Sequence, residues 1–297
     1  MRFPAWSRMK KTPTSALQRP SLFLLAGAGL FLLGTLAGLY LFFPAEALRQ
    51  RIVQEIGTRT GMDVQIEQLA LYPLLTLDAN KIKLGVTGLP RLLDIEQLRI
   101  APQWSTLLSG DPGVQLQGRI MDGTFTSGLQ KGGAVSARAM GLNFDLPVQE
   151  PIPFNIVGTL NEATFDSSIG LSPETKTGLS LQLDAVSILG LEFLKADSKG
   201  LSLGEIALEV EGQGRALRIN SLTAKGGDLE VDGDGTLQIG RTAATSRIKL
   251  ALHVRPAPNA DPDVAALLQL AGEPDADGRF SLQLTGSLAN PILKPGG

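Results

Sequence analysis

The chain carries one histidine and no cysteine in 297 residues. Without cysteine there is no disulfide, no thiolate metal site and no thiol nucleophile. The histidine, His253, alternates onto the polar side of the run Ser246–Val254. Acid–base catalysis would need a positioned partner there, and the flanking residues supply none. Asp228, Asp232 and Asp234 in GGDLEVDGDG invite a calcium reading. An EF-hand loop needs acids at alternating positions closed by a glutamate at the twelfth, and a calcium-binding β-roll repeats GGxGxD. Neither pattern is met, so these acids are assigned to turns, where Asp-Gly favours hairpin corners. No G-x-S-x-G elbow is present. No phosphate-binding glycine loop follows a strand, since Gly27 and Gly29 lie inside an apolar run. The sequence predicts no catalytic residue, no metal ligand and no cofactor.

What remains is the chemistry of surfaces, and the segment that places them is Ser21–Phe43. These twenty-three residues carry no charge. At about 1.5 Å per residue they reach roughly 34 Å, enough to cross a hydrocarbon core of about 30 Å. Residues 1–20 hold Arg2, Arg8, Lys10, Lys11 and Arg19 and no acid, which predicts a cytoplasmic N-terminus. The apolar run is too long for the core of a cleaved signal peptide, despite the small-x-small look of Ala45-Glu46-Ala47, so an uncleaved anchor is expected. Gly34 and Gly38 form a GxxxG spacing that can bring two membrane helices together.

The net charge of −2 hides an asymmetry. Without the five basic residues of the tail, 22 Lys+Arg face 29 Asp+Glu, so the remainder is near −7. That excludes nucleic acid as a partner, because binding it needs clustered cations to replace counterions. It also speaks against electrostatic adhesion to anionic lipid.

After Pro44, residues 44–61 read as a juxtamembrane amphipathic helix. Leu48, Ile52 and Ile56 share a stripe, and Arg49, Arg51 and Arg59 belong to the solvated side. From Met62 the period changes to two. Strands are predicted at 62–67, 75–80, 95–100, 114–120, 142–146, 154–160 and 179–185. More follow at 206–212, 216–222, 228–231, 235–239, 246–254 and 280–286. Only 103–108 and 261–270 look helical beyond 61. The predicted class is mainly β: a single N-terminal transmembrane helix, then a curled antiparallel domain over 62–297, taco-like or half-barrel, with few short helices. A subdivision is possible near 147–153, within the proline-rich LPVQEPIPF. Glu209–Gly214 and Glu230–Gly235 echo each other and suggest successive hairpins built alike.

FPAEALRQRI, then TGMDVQIEQLALYPLLTLDANKIKL, and near the end GGDLEVDGDGTLQI, SRIKLALHVRP and GRFSLQLTGSLANPIL, resemble the type II secretion system protein N family. The resemblance covers about residues 40–84 and 226–293; the middle, about 100–200, matches nothing specific. It implies an accessory inner-membrane component of a Gram-negative secretion machine, with a periplasmic β domain that meets other secretion subunits and no catalytic residues. AsmA-type membrane-anchored proteins share the opening pattern. They imply the alternative, a lipid-binding or lipid-transfer module whose apolar groove takes phospholipid.

Overall fold

A computed structural model describes residues 42–60, 63–85, 93–107, 110–148, 154–169, 173–190, 200–240, 244–258 and 262–296, with single positions elsewhere. The chain divides into two units, 1–44 and 45–297. In the first, Gly27, Gly34, Thr35, Ala37, Gly38 and Tyr40 are helical, as are residues 29–31, while Phe43 and Pro44 are not. Ser21 and much of the proposed anchor lie outside the described residues. Among the described residues no helix is long and apolar enough to cross a membrane.

The described residues of the second unit form one antiparallel sheet of fourteen strands in sequential order, each paired with its sequence neighbours. The strands are β1 (Asp63–Tyr72), β2 (Thr76–Gly85), β3 (Leu93–Gln103), β4 (Gly113–Ile120), β5 (Gly123–Gln130), β6 (Ala134–Val148) and β7 (Phe154–Ser168). They continue as β8 (Lys176–Leu189), β9 (Leu201–Gln213), β10 (Ala216–Gly226), β11 (Leu229–Gln238), β12 (Arg247–Pro256), β13 (Phe280–Ser287) and β14 (Pro291–Pro295). Among the described residues three helices accompany them: α1 (Ala45–Thr60), the single turn α2 (Trp104–Leu107) and α3 (Pro262–Ala271).

Two strands escape the period-two reading. β5 is GTFTSGLQ and offers few large apolar residues; β14 is PILKP, a short edge bounded by prolines that blunt further pairing. The predicted strands 228–231 and 235–239 are one strand, β11. Asp232 and Asp234 therefore sit in mid-strand, opposite His253 and Ala251, and not at a corner. Only Asp228 serves a turn, its carboxylate accepting from the Ser202 N–H at 2.7 Å. The reason lies in the intervening glycines. Gly233 faces Leu252, and a Cβ there would come within 2.7 Å of the leucine Cδ2. The echo at 209–214 and 230–235 is likewise not one of matching hairpins, since the first copy runs into the β9–β10 turn and the second lies within β11.

The alternation is interrupted in a regular way. Ile95–Leu98, Leu160–Ala163, Leu183–Val186 and Ile219–Leu222 each place two residues between successive apolar positions, and the pairing register shifts at each. An extra residue in one strand bends it and would otherwise flip every later side chain. Here the bulge and the doubled spacing cancel, so the apolar residues stay on one face.

Candidate functional site: the apolar face of the sheet

The register lines up whole rows of like chemistry across the strands. One row runs Leu69, Ala79, Leu98, Gly118, Phe125, Ala139, Ala163, Leu181, Leu208, Leu222, Gly233, Leu252, Leu282. None of these carries a polar side chain. The next row reads Leu71, Leu77, Ile100, Leu116, Ser127, Ala137, Phe165, Leu179, Val210, Ile219, Gly235, Leu250, Leu284. The opposite face shows the reverse, as in Asn80, Gln97, Arg119, Thr124, then Met140 and Glu162, and finally Asp232, His253 and Ser281. Twelve strand intervals of about 4.8 Å make each row roughly 58 Å long.

Cover is uneven along this face. At the first strands Ile52, Val53 and Ile56 of α1 pack on Val64, Ile66, Ala79, Ile82 and Ile95. Arg49 fastens α1 by donating from its guanidinium to the Ile66 carbonyl at 2.6 Å and from Nε to Glu46 at 3.0 Å. The hydrogen bond from Arg49 holds the Glu46 carboxyl below its ordinary value of 4.5, and the same bond raises the Arg49 guanidinium. At the last strands Val264 and Leu268 of α3 pack on Leu229, Val254 and Leu282. Between them, Val210, Ile219 and Leu250 are 3–5% exposed, closed in by leucines and isoleucines of the region from β8 to β13, with no helix residue among the described residues packed on them. In the middle, no described residue of β6 or β7 is buried. Val135, Ala137, Ala139, Leu142, Phe144 and Leu146 of β6 are half-buried, with exposed neighbours alternating between most of them.

The polar face is electrostatically quiet. Asp78, only 5% exposed, accepts both Nε and NH2 of Arg99 at 2.9 and 3.0 Å, and this bond raises the Arg99 guanidinium. Arg138 pairs with Glu162 and Arg255 with Glu230, each at 2.6 Å. His253 is exposed, its Nδ1 3.3 Å from Ser281 Oγ. Among the described residues no group of three or more His, Cys, Asp or Glu could hold a metal ion. Gly34 and Gly38 are open: a Cβ at either would meet nothing within 4 Å.

Fold and face together define a sheet-platform protein, in which the notable feature is a long two-sided surface. A family model described as Type II secretion system (T2SS), protein N matches residues 83–283, well over half of the chain, and the chain belongs to this family. It is accordingly a membrane-associated accessory component of type II secretion. The match runs from the end of β2 into β13 and takes in the middle that no local motif had marked. No curated protein and no solved structure matches the chain.

Proposed function

We propose that the chain is a single-pass inner-membrane protein of a Gram-negative bacterium. Residues 1–20 stay in the cytoplasm, Ser21–Phe43 spans the bilayer, and residues 62–297 form a periplasmic, non-catalytic platform that binds other secretion subunits. The observation that carries this reading is the apolar face. It runs across the strands from β1 to β13, is covered by helices at its two flanks, and is least buried at β6 and β7. Contiguous exposed apolar surface on a secretion component marks a place of contact. The sheet is proposed to curl about this face, taco-like or as a half-barrel. Supporting that, Val210, Ile219 and Leu250 are buried by their own sheet, as side chains on a concave surface would be. Gly34 and Gly38 are proposed to join two copies through their anchors.

A second reading is favoured by the half-exposed rows of β6 and β7: the uncovered stretch is a groove for phospholipid acyl chains. Affinity isolation from crosslinked membranes, extracted in mild detergent with proteins and lipids both identified, separates the two. Secretion subunits crosslinked to the β domain support the platform. Stoichiometric phospholipid without any secretion subunit overturns it in favour of the groove.

A further inference from the structure

One end of the sheet carries an apolar tip that the face does not account for. It is built by the turn Pro73–Leu75 between β1 and β2 and by the start of α2 after β3. Tyr72 is 49% exposed, Leu74 71%, Leu75 48% and Trp104 46%. Leu74 and Leu75 have φ of 66° and 58°. Left-handed backbone is strained for leucine, so the fold holds two leucines outward at a cost. The tip is also free of charge. Residues 68–77 and 100–110 contain no acid or base, and the first charges inward, Asp78 and Arg99, neutralise each other.

We propose that Tyr72, Leu74, Leu75 and Trp104 dock into the interfacial layer of the bilayer. Three observations select a lipid surface as the occupant. Tyrosine and tryptophan pair an apolar ring with a polar end, which suits the headgroup boundary, while leucines enter the acyl layer. The absence of charge fits a neutral, zwitterionic interface and leaves nothing to attract an anionic or cationic protein patch. The β unit also begins toward this end. Two residues join α1 to β1, yet Arg49 reaches Ile66, so α1 runs back along β1. Its length of about 24 Å, set against about 33 Å for β1, puts Ala45 roughly 10 Å short of the level of Tyr72. The chain therefore enters the β unit on the side of the tip.

The inference rests on Ser21–Phe43 being a membrane anchor, so the test begins with alkaline extraction of the full chain from proteoliposomes of phosphatidylethanolamine. A chain that washes off removes the anchor and this proposal together. If it stays, the absence of native cysteine allows Leu74→Cys to carry a polarity-sensitive dye, with Thr126→Cys on the polar face as control. Trp6→Phe separately leaves Trp104 as the one tryptophan. The expected result is blue-shifted emission at 74, and quenching by lipids brominated on the acyl chain of about twofold or more at 74 and at Trp104. No quenching is expected at 126, and raised salt should have no effect. Water-like emission at 74 in a chain that resists extraction overturns the docking alone. Shielding that brominated lipid does not quench, and that grows with protein density, also overturns it by showing a second copy at the tip.

Discussion

The flanks and the middle of the same sheet solve the same problem differently. The apolar rows that are mostly leucine, isoleucine and valine in β1–β3 and β9–β13 continue through β6 and β7 with alanine and phenylalanine among them. The flanks bury theirs, under α1 at one side and under α3 and the sheet's own side chains at the other. β6 and β7 are the longest strands, fifteen residues each, and bury nothing among their described residues. Alternation therefore tells which residues share a face, and helices tell where that face is spent on stability. The unspent part is the part available for contact.

The sharpest way to break this comparison is to place a carboxylate in each region. Ile82→Asp, in the flank under α1, should cost about 3–5 kcal/mol, because an unpaired charge has no water and no partner there. Ala139→Asp, in the same chemical setting at the middle, should cost under about 1 kcal/mol, because water already reaches the site. Urea midpoints of the two variants measure the difference, and equal losses would mean that the middle is core.

Asp78→Asn tests whether the polar face contributes to the flank. It removes a charge-assisted pair from a buried carboxylate whose partner is half-exposed, and should cost about 1–2 kcal/mol in the same assay. Leu74→Asn should move stability the other way, by up to about 1 kcal/mol, since asparagine tolerates the left-handed backbone that leucine resists. A loss there would mean that the turn relies on the leucine side chain for packing.

The smallest expected effect is one of pH. Glu46 is exposed and its folded carboxyl is held below 4.5 by Arg49. A depressed acid stabilises above its unfolded value and loses that contribution as pH falls through its folded value. Hydrogen exchange of α1 should therefore quicken below about pH 4.5 while β9–β12 stays protected, and Glu46→Gln should abolish the dependence.

Much of this was legible in the residues. The helix at 44–61, most of the strands, the helix near 262–270 and the one-sided chemistry all follow from spacing, and the terminal motifs resemble the family that the chain belongs to. Four things were not legible. β5 has Ser127 and two glycines on or near the apolar side, so its alternation is too weak to stand out. Asp232-Gly233-Asp234-Gly235 has the composition of a corner, and only the leucines of β12 opposite the glycines show it to be a strand. The bulges look like breaks in period until it is seen that Ile66–Leu69 and Ile95–Leu98, both IEQL, share the same doubled spacing. Helix cover could not be read at all, because burial of a row depends on what packs over it and not on its own residues. That is why the open middle, the core of the candidate site, came only from the structure.

The central claim is that this open middle is a working contact surface. The most direct test is a photo-crosslinking amino acid placed at Ala139 on the apolar face or at Thr126 on the polar face of the native chain, irradiated in intact membranes. The account predicts adducts at Ala139, with secretion subunits or, on the second reading, with phospholipid, and few at Thr126. Adducts confined to Thr126, or none at Ala139 while the chain is folded and in place, would contradict it.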